Sequence, residues 1–298
     1  MERIIGDYGP PDSERLVLCI GGMHGNEVSG VLALENVFAY LQQEKIPLQG
    51  RFVGLKGNVQ ALKAGKRFIE KDLNRLWADD IIVKAMMNPG AIAEYLELKG
   101  LFEVFLSLNF SKYHKKVFLD LHNTSAERGT FVLVEDLHST QYIVKELHAP
   151  LIIGLHHGLL NTSIPYMHFH GFESLAFESG KIGSISSVHN HVLTIYQVLW
   201  LAGLLRYEDI PYSVRSYTGL MEETAHLPSR LQIAYAHAIA PQAGFLMKPG
   251  YKNFDLVTEG EVVATDRNGP VTAPLSGYML MPLYQPEGSD GFFLVVPA

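Results

Sequence analysis

With one cysteine in 298 residues, the chain has no internal disulfide to form. That residue, Cys19, sits inside an apolar run and reads as a small core side chain, not a nucleophile. No apolar stretch has the length of a membrane span. The longest candidate, residues 192–205, is interrupted by Thr194, Gln197 and Gly203. The opening MERIIGDYGPP lacks the apolar core of a secretory signal. Charged residues make up only 18% of the chain, and the net charge is -7 with no long basic run. That balance argues against a general nucleic-acid binder. Phosphate-cradling loops of the GxxxxGK or GxGxxG type are missing, as are fixed-period repeats and low-complexity tracts. These absences predict a cytoplasmic globular protein with neither nucleic acid nor membrane as partner, and leave room for a homo-oligomer.

What is present is a sizeable apolar fraction, 47%, and 13 histidines. The first is enough for a large core. The second directs attention to a metal. Residues 16–20 are continuously apolar and predict a central strand covered on both faces. Apolar residues at 31, 34, 37, 38 and 41 predict a helix after it. Further strands are expected at 51–55, 115–125, 130–135 and 174–180. Helices are expected at 91–108 and 184–205, the first with Ile92, Tyr95, Leu96, Leu98, Phe102, Phe105 and Leu106 on its apolar side. From about residue 207 helical periodicity fades, and short strand-like pieces recur between Gly and Pro. The expected architecture is α/β: a mixed, mostly parallel sheet with helices on both faces over residues 1–206, followed by a small all-β domain over 207–298.

Three of the predicted strands end in groups that carry chemistry. The first runs into HGNE, which offers His24 and Glu27. The second ends at His122 and the third at Glu178. If these strands lie side by side and parallel, the four groups converge at their carboxyl ends, where α/β sheets collect ligands. Two histidines and a carboxylate are a common catalytic zinc set with one position left for water, so His24, Glu27 and His122 are candidate ligands of one zinc ion. A second carboxylate is needed to move the proton, and Glu178 is the candidate. Asp72 or Asp120 can accept the second ring proton of a ligand histidine. Between the first two strands, KRFIEKDLNRLW concentrates charge. Arg67 there is suited to a developing oxyanion, and Arg75, beside Asn74, to a substrate carboxylate.

In this order, GGMHGNE, DLNR, DLHNT and a strand ending in Glu-Ser resemble the succinylglutamate desuccinylase/aspartoacylase family, a branch of the zinc carboxypeptidase-like fold. The likeness runs through residues 16–180. VTAPLSGYMLMP (271–282) is similar to the barrel-sandwich pattern of the family's smaller C-terminal domain. The resemblance implies His24, Glu27 and His122 as zinc ligands and Arg67 as the oxyanion-stabilising arginine. It implies Asn74 and Arg75 as the carboxylate-holding pair, Asp72 as the partner of the first histidine, and Glu178 as the catalytic glutamate.

Three departures bear on the substrate. Where aspartoacylases carry an arginine about ten residues before the catalytic glutamate, this chain has His168, the candidate to line the pocket instead. The tyrosine expected near the C-terminus is not evident, although Tyr278 and Tyr284 are nearby. Glu178 is followed by Ser-Gly and not by Gly-Pro. The pairs His168/His170, His189/His191 and His156/His157 otherwise read as structural or surface residues. The expected function is zinc-dependent hydrolysis of the amide in a small acidic N-acyl amino acid, such as an N-succinyl or N-acetyl derivative. The alternatives are a carboxypeptidase-like hydrolase of peptides or cell-wall fragments and a non-enzymatic zinc-binding module.

Overall fold

The computed structural model describes residues 2–155, 158–240 and 242–298. The His156-His157 pair lies outside the described residues. The chain begins with β1 (Ile4–Tyr8) and β2 (Arg15–Gly21), then α1 (Ser29–Gln43), β3 (Arg51–Lys56) and α2 (Val59–Ala64). A loop and one 3-10 turn (Leu73–Arg75) lead to α3 (Asp79–Met87) and α4 (Ala93–Leu108). Next come β4 (Lys115–Thr124), β5 (Thr130–Val134), α5 (Leu137–Val144), β6 (Leu151–Ile153), α6 (Ser163–Phe169), β7 (Glu173–Lys181) and α7 (Ile185–Leu201). The remainder holds α8 (Tyr212–Arg215), α9 (Gly219–Thr224) and β8 (Arg230–Ala238). It ends with β9 (Leu246–Met247), β10 (Leu256–Val257), β11 (Val262–Asp266), β12 (Gly269–Thr272), β13 (Gly277–Leu280) and β14 (Asp290–Pro297).

Eleven of these strands join one mixed sheet in the order β1-β3-β2-β4-β7-β5-β6-β8-β14-β13-β10. Its centre, β3-β2-β4-β7, is parallel throughout. The three strands expected to carry site residues, β2, β4 and β7, are therefore adjacent and point the same way. The side chains of β2 alternate between two layers. Leu16, Leu18 and Ile20 join a core with Trp77, Leu98 and Phe105, on the side of α3 and α4. Val17 and Cys19 join another with Leu34, Val37 and Leu199, on the side of α1 and α7. Covering on both faces is why these strands read as unbroken apolar runs. Among the described residues no helix is long and apolar enough to cross a membrane.

The sequence did not reveal that the sheet continues past β7. β5 runs antiparallel to β7, and β6 and β8 extend the sheet to the antiparallel β14, β13 and β10. A third apolar cluster, with Met247, Val263, Met279, Phe292 and Leu294, fills the space between this extension and the small sheet β12-β11-β9.

Helix α4 also departs from its expected orientation. Leu96 and Leu106 face solvent, while Glu94 and Glu97 are buried alongside Leu98, Leu101 and Phe105. The buried stripe is rotated because Glu97 accepts hydrogen bonds from the first backbone N–H groups of α2 and Glu94 from backbone N–H groups of the loop after it.

Candidate active site

Strand β2 ends at Gly21, and Gly22 turns the chain at φ 70°, a region glycine enters without strain. His24 to Glu27 forms a tight turn closed by the Glu27 N–H donating to the His24 carbonyl at 3.1 Å. The turn brings its first and fourth side chains together, with His24 Nδ1 2.8 Å from Glu27 Oε1. Gly25 has no space for a side chain, since a Cβ there would stand 2.1 Å from the Ala61 backbone. Its N–H donates to the Arg67 carbonyl at 3.0 Å, which fixes the turn to the loop that carries Arg67.

The neighbouring β4 brings up His122. Its Nδ1 lies 3.1 Å from Glu27 Oε2, and the Asn123 N–H donates to the same oxygen at 3.1 Å. His24, Glu27 and His122 are all buried, and one ligand atom from each falls within 4.8 Å of the others. Behind the rings stand two further carboxylates. His24 Nε2 is 3.1 Å from Asp72 Oδ1, and His122 Nε2 is 3.0 Å from Asp120 Oδ2. Burial alone would push the Glu27 carboxyl up, but the His24 charge and hydrogen bonds from both rings hold it far below the usual carboxylate range. Burial would likewise lower His122, and Asp120 with Glu27 instead raises it well above its ordinary value. Glu27 is thus held between the two rings, one oxygen within hydrogen-bond distance of each.

The donor set fits such an ion. Two imidazole nitrogens and one carboxylate face one another, each ring backed by a carboxylate that orients it. Charge favours a divalent cation as well. Five carboxyl groups (Glu27, Asp72, Asp120, Glu178 and Asp290) surround the cluster and its cavity, against two guanidinium groups, Arg67 and Arg75.

Glu178 pairs in register with His122 across β4 and β7. It is buried, and its Oε2 has no hydrogen-bond partner. Burial pushes its pKa up to about 8; the His122 charge opposes the rise and Glu27 repulsion adds to it. A buried, unpartnered carboxyl with a raised pKa beside a metal-ligand cluster is suited to taking and returning protons.

The loop from Arg67 to Arg75 has little regular structure of its own. It is held by Glu94 of α4, whose carboxylate accepts from the N–H groups of Ile69, Glu70 and Lys71 at 2.7, 3.1 and 2.9 Å. Asn58 Nδ2 donates to it as well, at 3.1 Å. Thus anchored, Arg67 donates through Nη1 to Glu27 at 3.2 Å and through Nη2 to Asp72 at 3.1 Å, while its buried Nε–H has no acceptor. Asp72 caps the following turn by accepting from the Asn74 N–H at 2.8 Å. Asn74 Oδ1 in turn accepts from the Ser163 N–H at 3.0 Å. Replacing Glu94 with alanine removes the buried acceptor shared by three backbone N–H groups and the Asn58 amide. The expected loss is about 2–4 kcal/mol of stability, read from the urea midpoint, with a higher KM because the loop carries Asn74 and Arg75.

His24, Glu27, Arg67, His122 and Glu178 line one cavity, together with Asn74 and Arg75. The structure does not bring His168 there. Helix α6 starts near the site, contributing Thr162 and Ile164 to the wall, and runs back toward the start of β7. His168 lies at its far end, where its charge is felt by Asp136. Tyr284 is also absent from the wall; its hydroxyl donates to the Lys248 carbonyl at 3.0 Å. His191 is buried with Nδ1 3.2 Å from the hydroxyls of both Ser29 and Ser179, and burial brings its pKa down to about 3. It is a neutral structural residue.

Two residues of the site escaped the sequence reading. One is Glu94, disguised as part of a solvated helix face. The other is Asp290, which comes from the start of β14 and forms an ion pair with Arg75 inside the cavity. Met281, Leu283, Gln285 and Phe293 line the cavity too, so the segment after residue 207 helps to close it.

A model of the succinylglutamate desuccinylase/aspartoacylase catalytic domain matches residues 13–186, more than half of the chain. A probable aspartoacylase from Nostoc sp. is 30% identical over 119 residues, 40% of this chain and 38% of that protein. An N-acyl-aromatic-L-amino acid amidohydrolase (carboxylate-forming) from Xenopus laevis is 28% identical over 127 residues, 42% of this chain and 39% of that protein. These matches span about two fifths of the relatives' length. Among solved structures, a succinylglutamate desuccinylase/aspartoacylase from Rhodobacter sphaeroides superposes with a TM-score of 0.67 at 18% identity, covering 96% of this chain and 86% of that one. It shares the fold.

Proposed function

The chain belongs to the succinylglutamate desuccinylase/aspartoacylase family, and from that premise we propose that it is a zinc-dependent hydrolase cleaving the amide of an N-acyl amino acid. The observation that carries this reading is the convergence, from three adjacent parallel strands, of a buried His-Glu-His set and an unpartnered buried glutamate. His24, Glu27 and His122 hold the ion, oriented by Asp72 and Asp120. When bound there, zinc supplies the Lewis acidity that makes water a competent nucleophile near neutral pH.

The chain's own residues do the rest. Glu178 takes the proton of the attacking water and delivers it to the departing nitrogen. Arg67, held by Glu27 and Asp72, offers its unpaired Nε–H to the negative charge that develops on the carbonyl oxygen. Arg75 and Asn74 receive the carboxylate of the amino acid. We read residues 1–206 as the catalytic domain and 207–298 as a β-rich accessory domain whose side chains finish the pocket.

The test is release of free amino acid from a panel of N-acetyl, N-formyl and N-succinyl amino acids by the zinc-loaded protein, with short peptides as controls. Release from the acyl amino acids is expected. Release from peptides alone would transfer the site to a carboxypeptidase-like reaction, and release from neither would leave a binding module.

A further inference from the structure

The cavity beside the cluster has a charged side and an apolar side. The apolar wall is formed by Leu133, Leu155, Leu159, Ile164, Ala176 and Phe293. Leu133 and Ala176 are cross-strand partners on β5 and β7. Ala176, two residues before Glu178, lies on the same face of β7. Ile164 directly follows Ser163, whose N–H is bonded to Asn74. The wall therefore begins beside the Asn74-Arg75 clamp and passes beneath Glu178.

In an amino acid, the carboxylate, the side chain and the nitrogen all leave one carbon. With a carboxylate at Arg75 and the scissile nitrogen at Glu178, the side chain falls in the same cavity, whose uncharged side is this wall. Among the described residues no lysine or arginine belongs to this wall. Among the described residues, two guanidinium groups line the cavity: Arg67 pairs with Glu27 and Asp72 and has its remaining Nε–H assigned above to the oxyanion, and Arg75 pairs with Asp290. A substrate's first carboxylate can exchange with Asp290 on Arg75, one carboxylate for another, and Ser289 Oγ, 3.2 Å away, still donates to Asp290 after the exchange. A second carboxylate would be buried against leucines without a partner, near both Asp290 and Glu178, at a large desolvation cost.

We propose that the leaving amino acid carries a bulky apolar side chain, aromatic or branched aliphatic, and a single carboxylate. This rests on the deacylase reading above and replaces the acidic side chain that the arginines imply in the sequence.

The experiment is a comparison of kcat/KM for the zinc-loaded full chain on N-acetylphenylalanine, N-acetylleucine, N-acetylaspartate and N-succinylglutamate. The apolar pair should lead the acidic pair by about 100-fold; parity, or a lead for the acidic pair, overturns the proposal. Leu159 is half-buried in the wall, and Leu159→Arg should shift the aspartate-to-phenylalanine ratio at least about tenfold toward aspartate. An unchanged ratio in a folded variant counts against the wall as the specificity element. If no acyl amino acid of either kind is cleaved, the deacylase reading fails, and the wall is then judged by calorimetry with free phenylalanine and free aspartate. Tighter binding of phenylalanine upholds the apolar pocket. Equal or tighter binding of aspartate, or no binding of either, overturns it.

Discussion

Glu178→Gln is expected to lower kcat by about 1,000-fold, with zinc still bound and KM changed little. The side chain is buried and Oε2 makes no hydrogen bond, so an isosteric amide disturbs no existing partner. Backbone pairing of residue 178 to His122 and Phe131 holds the position whatever the side chain. What the amide lacks is the ability to take a proton from water and return it to nitrogen. Because burial makes the carboxylate costly, its replacement by a neutral group should leave thermal stability unchanged or slightly raised. Metal analysis, a melting curve and single-turnover kinetics together check the assignment. Near-normal turnover with zinc in place would remove Glu178 from the base role. Loss of zinc would instead mean that Glu178 supports the metal cluster.

The parts of this site that were legible in the sequence are those in which local chemistry and topology agree. Parallel strands covered on both faces must be continuously apolar, so β2, β4 and β7 declare themselves, and the polar residues after them mark their carboxyl ends. Spacing within HGNE was enough to pair His24 with Glu27, because a four-residue turn joins its first and last positions. The illegible parts depend on long-range partners. Helix α4 buries two glutamates because backbone donors from residues 59–71 meet them there, and no periodicity in α4 itself records those donors. His168 sits ten residues before Glu178, yet α6 runs away from the site end of the sheet, so nearness in sequence becomes distance in space. Asp290 reaches Arg75 only because β14 joins the same sheet through β8, a pairing between segments some 60 residues apart. That ion pair also explains why an arginine in a cavity does not by itself specify an acidic side chain.

Removal of the metal should have the second large effect, abolishing activity and lowering the melting temperature by roughly 10 °C, with both restored by added zinc. The reason lies in the charge around the cluster. Glu27 is buried between two rings, and Asp72 and Asp120 stand behind them. Without a cation, Glu27 and Asp120 depend on the His122 proton, and Glu27 and Asp72 on Arg67. The pH dependence follows in sign. His122 is raised well above 6.5 in the metal-free fold, with burial opposing and Asp120 and Glu27 outweighing it. Its contribution is therefore complete below the unfolded value of about 6.5 and is lost as pH rises through the higher folded value. Zinc held by the same donors would need them deprotonated, so its affinity is expected to increase over that interval. The gap in melting temperature between zinc-loaded and chelator-treated protein should consequently widen as pH rises above about 6.5. Paired melting curves with and without a chelator, across that range at constant ionic strength, measure it directly. A gap that stays constant or narrows would show that protons and metal do not compete for His24, Glu27 and His122, and the ion would have to be sought elsewhere in the cavity.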